Sequence, residues 1–238
     1  MGNLENSEIT RIRTEYERRR REIQKDFYSW RRPVNHFFHS QLARLSIRVL
    51  VEHNLFPLKK RSFLEVGCGK GSHLIESLHW GTLPSRIAGI DLLADRVQSA
   101  RAILPEADIR CGDARDLPWL DASFDIVSQF TVFTSILDPI MKRTVAREML
   151  RVLKPDGIIL WYDFRYDNPF NRNVKGVGAR EIRSLFPGCE VALHTTTLAP
   201  PVARTLVPVS WIAALVLEKI PFLRTHYLAV IKKSKKNM

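Results

Sequence analysis

Three glycines and a carboxylate lie close together after a short apolar run. Glu65 is followed by Gly67, Gly69 and Gly71 in the segment 63–72, FLEVGCGKGS. Glycine permits a tight turn and lets a ligand approach the backbone closely. The segment therefore predicts a nucleotide-type binding loop between a strand and a helix.

The spacing of these glycines distinguishes three kinds of loop. A phosphate-binding P-loop needs Gly-x-x-x-x-Gly-Lys-Ser/Thr, whereas Lys70 lies between two glycines. A dinucleotide-binding loop needs Gly-x-Gly-x-x-Gly, and Ser72 stands where its third glycine would be. The remaining pattern is Glu-x-Gly-x-Gly-x-Gly. Its acid at the strand end would attract a cationic ligand and repel a pyrophosphate.

Further acids follow the next two apolar runs. Asp91 ends the second run, 20 residues after Gly71, where a carboxylate can accept hydrogen bonds from a ribose diol. Asp113, followed by Ala114, comes after the third run, where it could accept from an adenine amino group. Because the carboxyl ends of parallel strands share one edge of an open α/β sheet, the sequence predicts one pocket for a cationic nucleoside.

Together these residues resemble the class I S-adenosylmethionine-dependent methyltransferase family over about residues 60–165. The likeness is to its small-molecule, UbiE-like (methyltransferase type 11-like) branch. It implies S-adenosylmethionine as the donor and S-adenosylhomocysteine as the product. The resemblance also implies a set of cofactor-binding residues: Glu65, Gly67, Gly69 and Gly71 at the methionine part, Asp91 and Leu92 at the ribose, Asp113 and Ala114 at the adenine, and Gln129 where the donor cleft opens.

The acceptor is expected to meet segments that flank this domain. Methyl transfer depends on aligning a nucleophile with the sulfonium methyl group, and a hydroxyl acceptor also benefits from a general base. Asp163 and His36 are the candidate catalytic residues, with His39 as an alternative, although a lone histidine on a helix is more often structural. The candidate substrate-binding residues are Tyr28, Trp30, Arg165 and Asn168. The loop 161–173 could equally be an ordinary polar loop whose Asn and Pro residues fix turns.

One class of acceptor is disfavoured. Amide and exocyclic-amine methyltransferases carry Asn/Asp-Pro-Pro-Tyr/Phe after the fourth strand, where this chain has Gln-Phe-Thr-Val at 129–132. The similar segment 167–170 follows the fifth strand instead. We therefore expect a small-molecule acceptor, or a lipid- or glycan-linked one, methylated at oxygen or carbon. The alternatives are an RNA methyltransferase and a non-catalytic donor-binding or scaffold protein.

The alternation of short apolar runs with amphipathic stretches predicts a Rossmann-like, doubly wound α/β fold. Seven strands, mostly parallel with the last one antiparallel, are expected at 62–66, 86–91, 107–113, 123–130, 157–164, 189–198 and 225–233. Helices are expected at 8–27, 34–54, 71–80, 93–103, 139–152 and 210–219, with a turn at Lys154–Gly157. The predicted domains are an N-terminal helical cap over 1–58 and a methyltransferase domain over 59–238, with an apolar helical insertion at about 199–223.

Charge and composition limit the partners. The 238 residues carry a net charge of +12, with nine Lys/Arg in 1–32 and no acid after Glu218. A basic surface favours polyanions, so we expect peripheral contact with an anionic membrane, with nucleic acid the less favoured partner. The helical arm could also form a homodimer contact. The longest charge-free run, Thr205–Leu217, is too short to span a bilayer, which needs about 20 residues.

The three cysteines lack metal-ligand spacing. We therefore expect no metal, and reduced, mostly buried thiols in a cytoplasmic protein. The polar N-terminus predicts no secretory signal.

Overall fold

Seven strands form one mixed sheet in this computed structural model, which describes residues 2–24, 26–168 and 171–234. The sheet order is β3-β2-β1-β4-β5-β7-β6, and β7 runs in the opposite direction to the other six strands. The strands are β1 (Phe63–Val66), β2 (Ile87–Asp91), β3 (Asp108–Cys111), β4 (Phe124–Phe130), β5 (Leu153–Phe164), β6 (Cys189–Leu198) and β7 (Arg224–Lys233). The predicted Rossmann-like fold is confirmed.

Helices cover both faces of the sheet. They are α1 (Gly2–Glu22), α2 (Pro33–Glu52), α3 (Ser72–His79), α4 (Ala94–Ile103), α5 (Pro139–Val152), α6 (Ala179–Leu185), α7 (Pro200–Leu206) and α8 (Trp211–Glu218). Successive side chains of a strand point to opposite faces. Leu64 and Val66 therefore pack in the core with α1, α5 and α6, whereas Phe63 packs in the core with α2, α3 and α4.

Most helix and strand boundaries lie within a few residues of their prediction, and the differences have local causes. α1 ends at Glu22, so the aromatic segment from Phe27 lies outside it. Helix α2 begins at Pro33, one residue before its predicted start, because proline fits the first turn, where its missing N–H is not needed. Ser210 caps α8, and its hydroxyl accepts from the Ala213 amide at 3.2 Å.

The predicted turn at Lys154–Gly157 is instead an irregularity within β5. Leu153 pairs with Phe124, and the next paired residue of β5 is Ile158, opposite Ile126. The intervening residues bow out of the ladder, and the Lys154 ammonium lies 2.7 Å from the carboxylate of Asp125. The strand consequently begins before the predicted residue 157.

Two further findings concern the cysteines and the membrane. Cys68 is buried, Cys111 is exposed and Cys189 is partly buried, so the expectation of mostly buried thiols is wrong. Within the described residues, no helix combines the length and the apolar character needed to cross a bilayer.

Candidate active site

The glycine loop lies between β1 and α3, at the carboxyl edge of the sheet. Gly67, Gly69 and Gly71 have φ angles of +72°, +54° and +87°, which residues other than glycine rarely adopt. A Cβ atom on Gly67 would lie 2.3 Å from Cγ2 of Val132. The loop therefore needs glycine both for its backbone path and for its close approach to the segment after β4.

Asp91 joins the end of β2 to this loop. One carboxylate oxygen accepts from the Gly69 amide at 2.8 Å, and the other accepts from the Leu93 amide at 2.9 Å. A carboxylate has about four acceptor positions, so these bonds leave capacity for further donors. Asp91 thus shapes the loop and keeps acceptor sites on the same edge of the sheet.

A cavity of about 140 Å³ opens at this edge. Five of the sequence-predicted donor residues line it together: Gly67, Asp91, Leu92, Asp113 and Ala114. Phe130, Thr131 and Val132, which follow from β4, form another part of its wall. The structure therefore brings the predicted ribose and adenine residues into one pocket with the glycine loop.

Glu65 lies on β1 beside the loop and is 1% exposed. Its Oε2 atom has no hydrogen-bond partner within the described part of the chain. Burial raises the pKa of Glu65 well above the usual glutamate range, and the carboxylates of Glu76 and Asp91 raise it further. A buried acid without a partner is costly, so this position fits a ligand that carries a positive charge.

Helix α1 covers the cavity with Ile9, Ile12 and Tyr16. Glu8 accepts from the Leu137 amide at 2.6 Å, and Arg11 donates to the Ser135 carbonyl at 2.6 Å. These bonds fix α1 across the segment that follows β4.

Residues 1–58 were predicted to form an N-terminal helical cap, but the resemblance that identifies the donor residues covers only about residues 60–165. The residues of this helix that line the cavity were therefore missed as site residues.

Gln129 holds the turn that follows β4. Its amide donates to the Tyr162 carbonyl at 3.3 Å and accepts from the Val132 amide at 2.9 Å. Thr131 has a φ of +60°, and its amide donates to the Tyr162 carbonyl at 2.7 Å. Gln129 therefore positions a wall of the cavity without lining it.

The two predicted catalytic residues lie away from the cavity lining. Asp163 is 1% exposed, and its carboxylate accepts from the Thr134 amide at 3.2 Å. Burial raises the pKa of Asp163 to about 7, a value suited to a general base. His36 is exposed, and its imidazole contacts the carbonyl of Trp30.

The predicted acceptor contacts are not gathered around the cavity. Tyr28 and Trp30 are 70% and 50% exposed. The Arg165 guanidinium stacks over the rings of Tyr166 and Tyr227, and the Asn168 carbonyl accepts from the amide of Asn171. Pro169 and Phe170, in the segment that resembles an amine-methyltransferase motif, lie outside the described residues.

Comparisons with known proteins agree with this arrangement. Residues 64–161 match the family described as "Methyltransferase domain". A phthiotriol/phenolphthiotriol dimycocerosates methyltransferase of Mycobacterium ulcerans is 38% identical over 116 residues, which cover 47% of this chain and 40% of that protein. The matched region thus spans less than half the length of this curated relative.

Solved structures share the fold. A SAM-dependent methyltransferase of Archaeoglobus fulgidus superposes with a TM-score of 0.56 at 18% identity, covering 81% of this chain and 94% of that chain. A [4+2]-cyclase superposes with a TM-score of 0.57 at 21% identity, covering 80% of this chain and 81% of that one. A fold shared by a transferase and a cyclase does not by itself define the reaction, so function must be argued from the site.

Proposed function

We propose that this protein transfers a methyl group from S-adenosylmethionine to a small-molecule, lipid-linked or glycan-linked acceptor, at oxygen or carbon. The observation that carries this proposal is the cavity in which Gly67, Asp91 and Asp113 meet. Glu65 does not line this cavity, but it interacts electrostatically with Asp91, and its Oε2 atom has no hydrogen-bond partner within the described residues. The family match over residues 64–161 supports the same reaction class.

The described residues fit such a donor. Glu65 and the glycine loop would hold its cationic methionine part, Asp91 its ribose, and Asp113 its adenine. When bound, the donor supplies a methyl group on a positively charged sulfur. The chain orients the acceptor and excludes water, and α1 closes the cavity with Ile9, Ile12 and Tyr16. Alignment of the reacting atoms can by itself provide much of the rate enhancement.

Two observations favour a lipid-linked acceptor. Four apolar side chains around α8 are more than half exposed: Val209, Ile212, Val216 and Phe222. The chain also has a net charge of +12, which favours an anionic surface. The relative from Mycobacterium ulcerans is named for phthiotriol dimycocerosates, which supports the same direction.

The acceptor class is tested by methyl transfer from tritium-labelled S-adenosylmethionine into a cell extract of the source organism. We expect the label in the lipid or small-molecule fraction. Label in the RNA fraction would replace this proposal by an RNA methyltransferase, which the positive charge alone favours. Donor binding without any transfer would indicate a non-catalytic donor-binding protein.

A further inference from the structure

Two histidines and a glutamate meet on the side of the glycine loop that faces α2. His39 lies on α2, whereas His73 and Glu76 lie one turn apart on α3. The Nδ1 atoms of His39 and His73 are 3.2 Å and 2.9 Å from the two carboxylate oxygens of Glu76. The sequence did not reveal this cluster, because 34 residues separate the two histidines.

The separations within this cluster are close to those of a metal site. Zn–N distances near 2.0–2.1 Å and Zn–O distances near 2.0–2.2 Å, at tetrahedral angles, put neighbouring ligand atoms roughly 3.3–3.5 Å apart. The two N–O separations are within about 0.6 Å of that range, and the candidate ligand atoms of all three residues lie within 4.8 Å of one another. Small rotations of the imidazoles would bring the two histidine nitrogens to the same separation from each other.

Neighbouring rings restrict the orientation of both imidazoles to small rotations. The ring of His39 stacks on Trp30 with centroids 4.3 Å apart, and the ring of His73 stacks on Phe130 at 4.0 Å. Metal ligands held by surrounding groups lose less freedom on binding, which favours affinity. Because Phe130 also lines the donor cavity, the cluster lies directly beside that cavity.

The electrostatics favour a cation at this position. The Glu76 side chain is only 14% exposed, and each of its carboxylate oxygens faces one imidazole. Within the described residues, Glu76 forms ion pairs with histidines and with no lysine or arginine.

We propose that His39, His73 and Glu76 bind one divalent first-row transition-metal ion. Two imidazoles and one carboxylate form a ligand set that suits zinc and leaves a coordination position open. The ion would replace the two N–H···O contacts within the cluster. This proposal does not depend on methyl transfer, because metal binding is measured without donor or acceptor.

The test is calorimetric titration of the full chain, stripped with a chelator, with ZnCl₂ and with CoCl₂, and Co²⁺ absorption as a second readout. We expect one equivalent of metal and visible Co²⁺ bands. His73→Ala and Glu76→Gln should each weaken binding at least tenfold. His79→Ala is the matched control, because His79 is an exposed residue of the same helix, and it should bind as the wild type does.

Three outcomes would overturn the proposal: no saturable binding to the wild-type chain, binding that survives His73→Ala and Glu76→Gln, or equal loss in His79→Ala. Circular dichroism and a thermal melt check that each variant is folded. If His73→Ala does not fold, His39→Ala on α2 provides the same test, and unchanged binding in that variant would also overturn the proposal.

Discussion

Glu65 is the residue that most clearly favours a cationic ligand over a phosphate. It is buried, and its Oε2 atom has no hydrogen-bond partner within the described residues. In the free protein, burial keeps the pKa of Glu65 raised. A bound cation favours the ionised form, so donor binding should release a proton and strengthen as the pH rises. Calorimetry of S-adenosylmethionine binding in two buffers of different ionisation enthalpy measures this proton.

Glu65→Gln should remove the proton release and weaken donor affinity about tenfold or more. The exposed Glu17→Gln serves as the control, because Glu17 lies on the outer surface of α1. If Glu65→Gln binds the donor with the affinity of the wild type and still releases a proton, the Glu65 carboxylate does not contact the donor.

Asp163 makes a prediction about stability. Its pKa is about 7 in the folded chain, because burial disfavours the charged form, whereas an unfolded aspartate titrates near 3.9. At pH values between these two pKa values, Asp163 is protonated in the folded state and ionised in the unfolded state. The stabilisation is therefore complete below about pH 4 and is lost as the pH rises through 7, on the order of 4 kcal/mol in total.

Asp163→Asn has no such proton and still offers an oxygen to the Thr134 amide. Urea unfolding at pH 5 and pH 8 should show a smaller loss of stability in Asp163→Asn than in the wild type. The comparison cancels the titration of other groups, among them His226, whose pKa burial lowers to about 3. Equal losses in the two proteins would contradict the assigned pKa.

At the level of elements, α1 and the cavity that it covers determine access to the donor site. The cavity of about 140 Å³ is smaller than the roughly 300–1,000 Å³ of most small-molecule sites. We therefore expect α1 to move outward to admit the donor. Its hold on the segment after β4 depends on Glu8, which accepts from the amides of Leu137 and Asp138.

Glu8→Gln should loosen α1, because it removes the charge from hydrogen bonds that are each worth roughly 1.5–3 kcal/mol. We expect amide exchange in α1 to become several times faster, and the donor to dissociate faster, while exchange in β1 and β4 stays unchanged. Glu17→Gln, on the same helix, is the control. Unaltered α1 exchange in Glu8→Gln would contradict this role of the helix.

The sequence predicted clearly patterned elements better than weakly patterned ones or contacts between elements. The residues of β1, β2 and β4 are buried on both faces because helices cover the sheet on both sides, so mainly apolar runs marked these strands despite their shortness. Helix α6 has only seven residues and was missed, and the equally short α7 was predicted only as part of the helical insertion at about 199–223.

The convergence of Gly67, Asp91 and Asp113 on one cavity was predictable because the ends of parallel strands meet at one edge. The acceptor residues were harder to predict, because the path of a loop depends on tertiary contacts. In the loop that carries Arg165, for example, the guanidinium lies over the ring of Tyr227. Similarly, His39 and His73 meet only because α2 packs beside α3.

For the whole molecule, the exposed apolar surface around α8 and the positive charge predict binding to anionic membranes. We expect sedimentation with vesicles that contain anionic lipid, little with zwitterionic vesicles, and weakening by salt. The double variant Ile212→Ser/Phe222→Ser should reduce binding several-fold, because each side chain is 75% exposed and available to the bilayer.

Leu120→Ser is the matched control for these variants. Leu120 is 83% exposed in the loop between β3 and β4, away from α8, and its loss should leave vesicle binding unchanged. Equal binding to both kinds of vesicle, or equal effects of Leu120→Ser and the double variant, would exclude the surface around α8 as the membrane contact.

The most direct test of the donor site is calorimetric titration with S-adenosylmethionine of the wild type, Asp91→Ala and the exposed Asp156→Ala control. We predict binding at one site, weakened about tenfold or more in Asp91→Ala, because buried hydrogen bonds to a carboxylate are worth roughly 1.5–3 kcal/mol. Asp156→Ala should bind as the wild type does. Failure of the wild-type chain to bind, or unchanged affinity in a folded Asp91→Ala, would contradict the assignment of this cavity to the methyl donor.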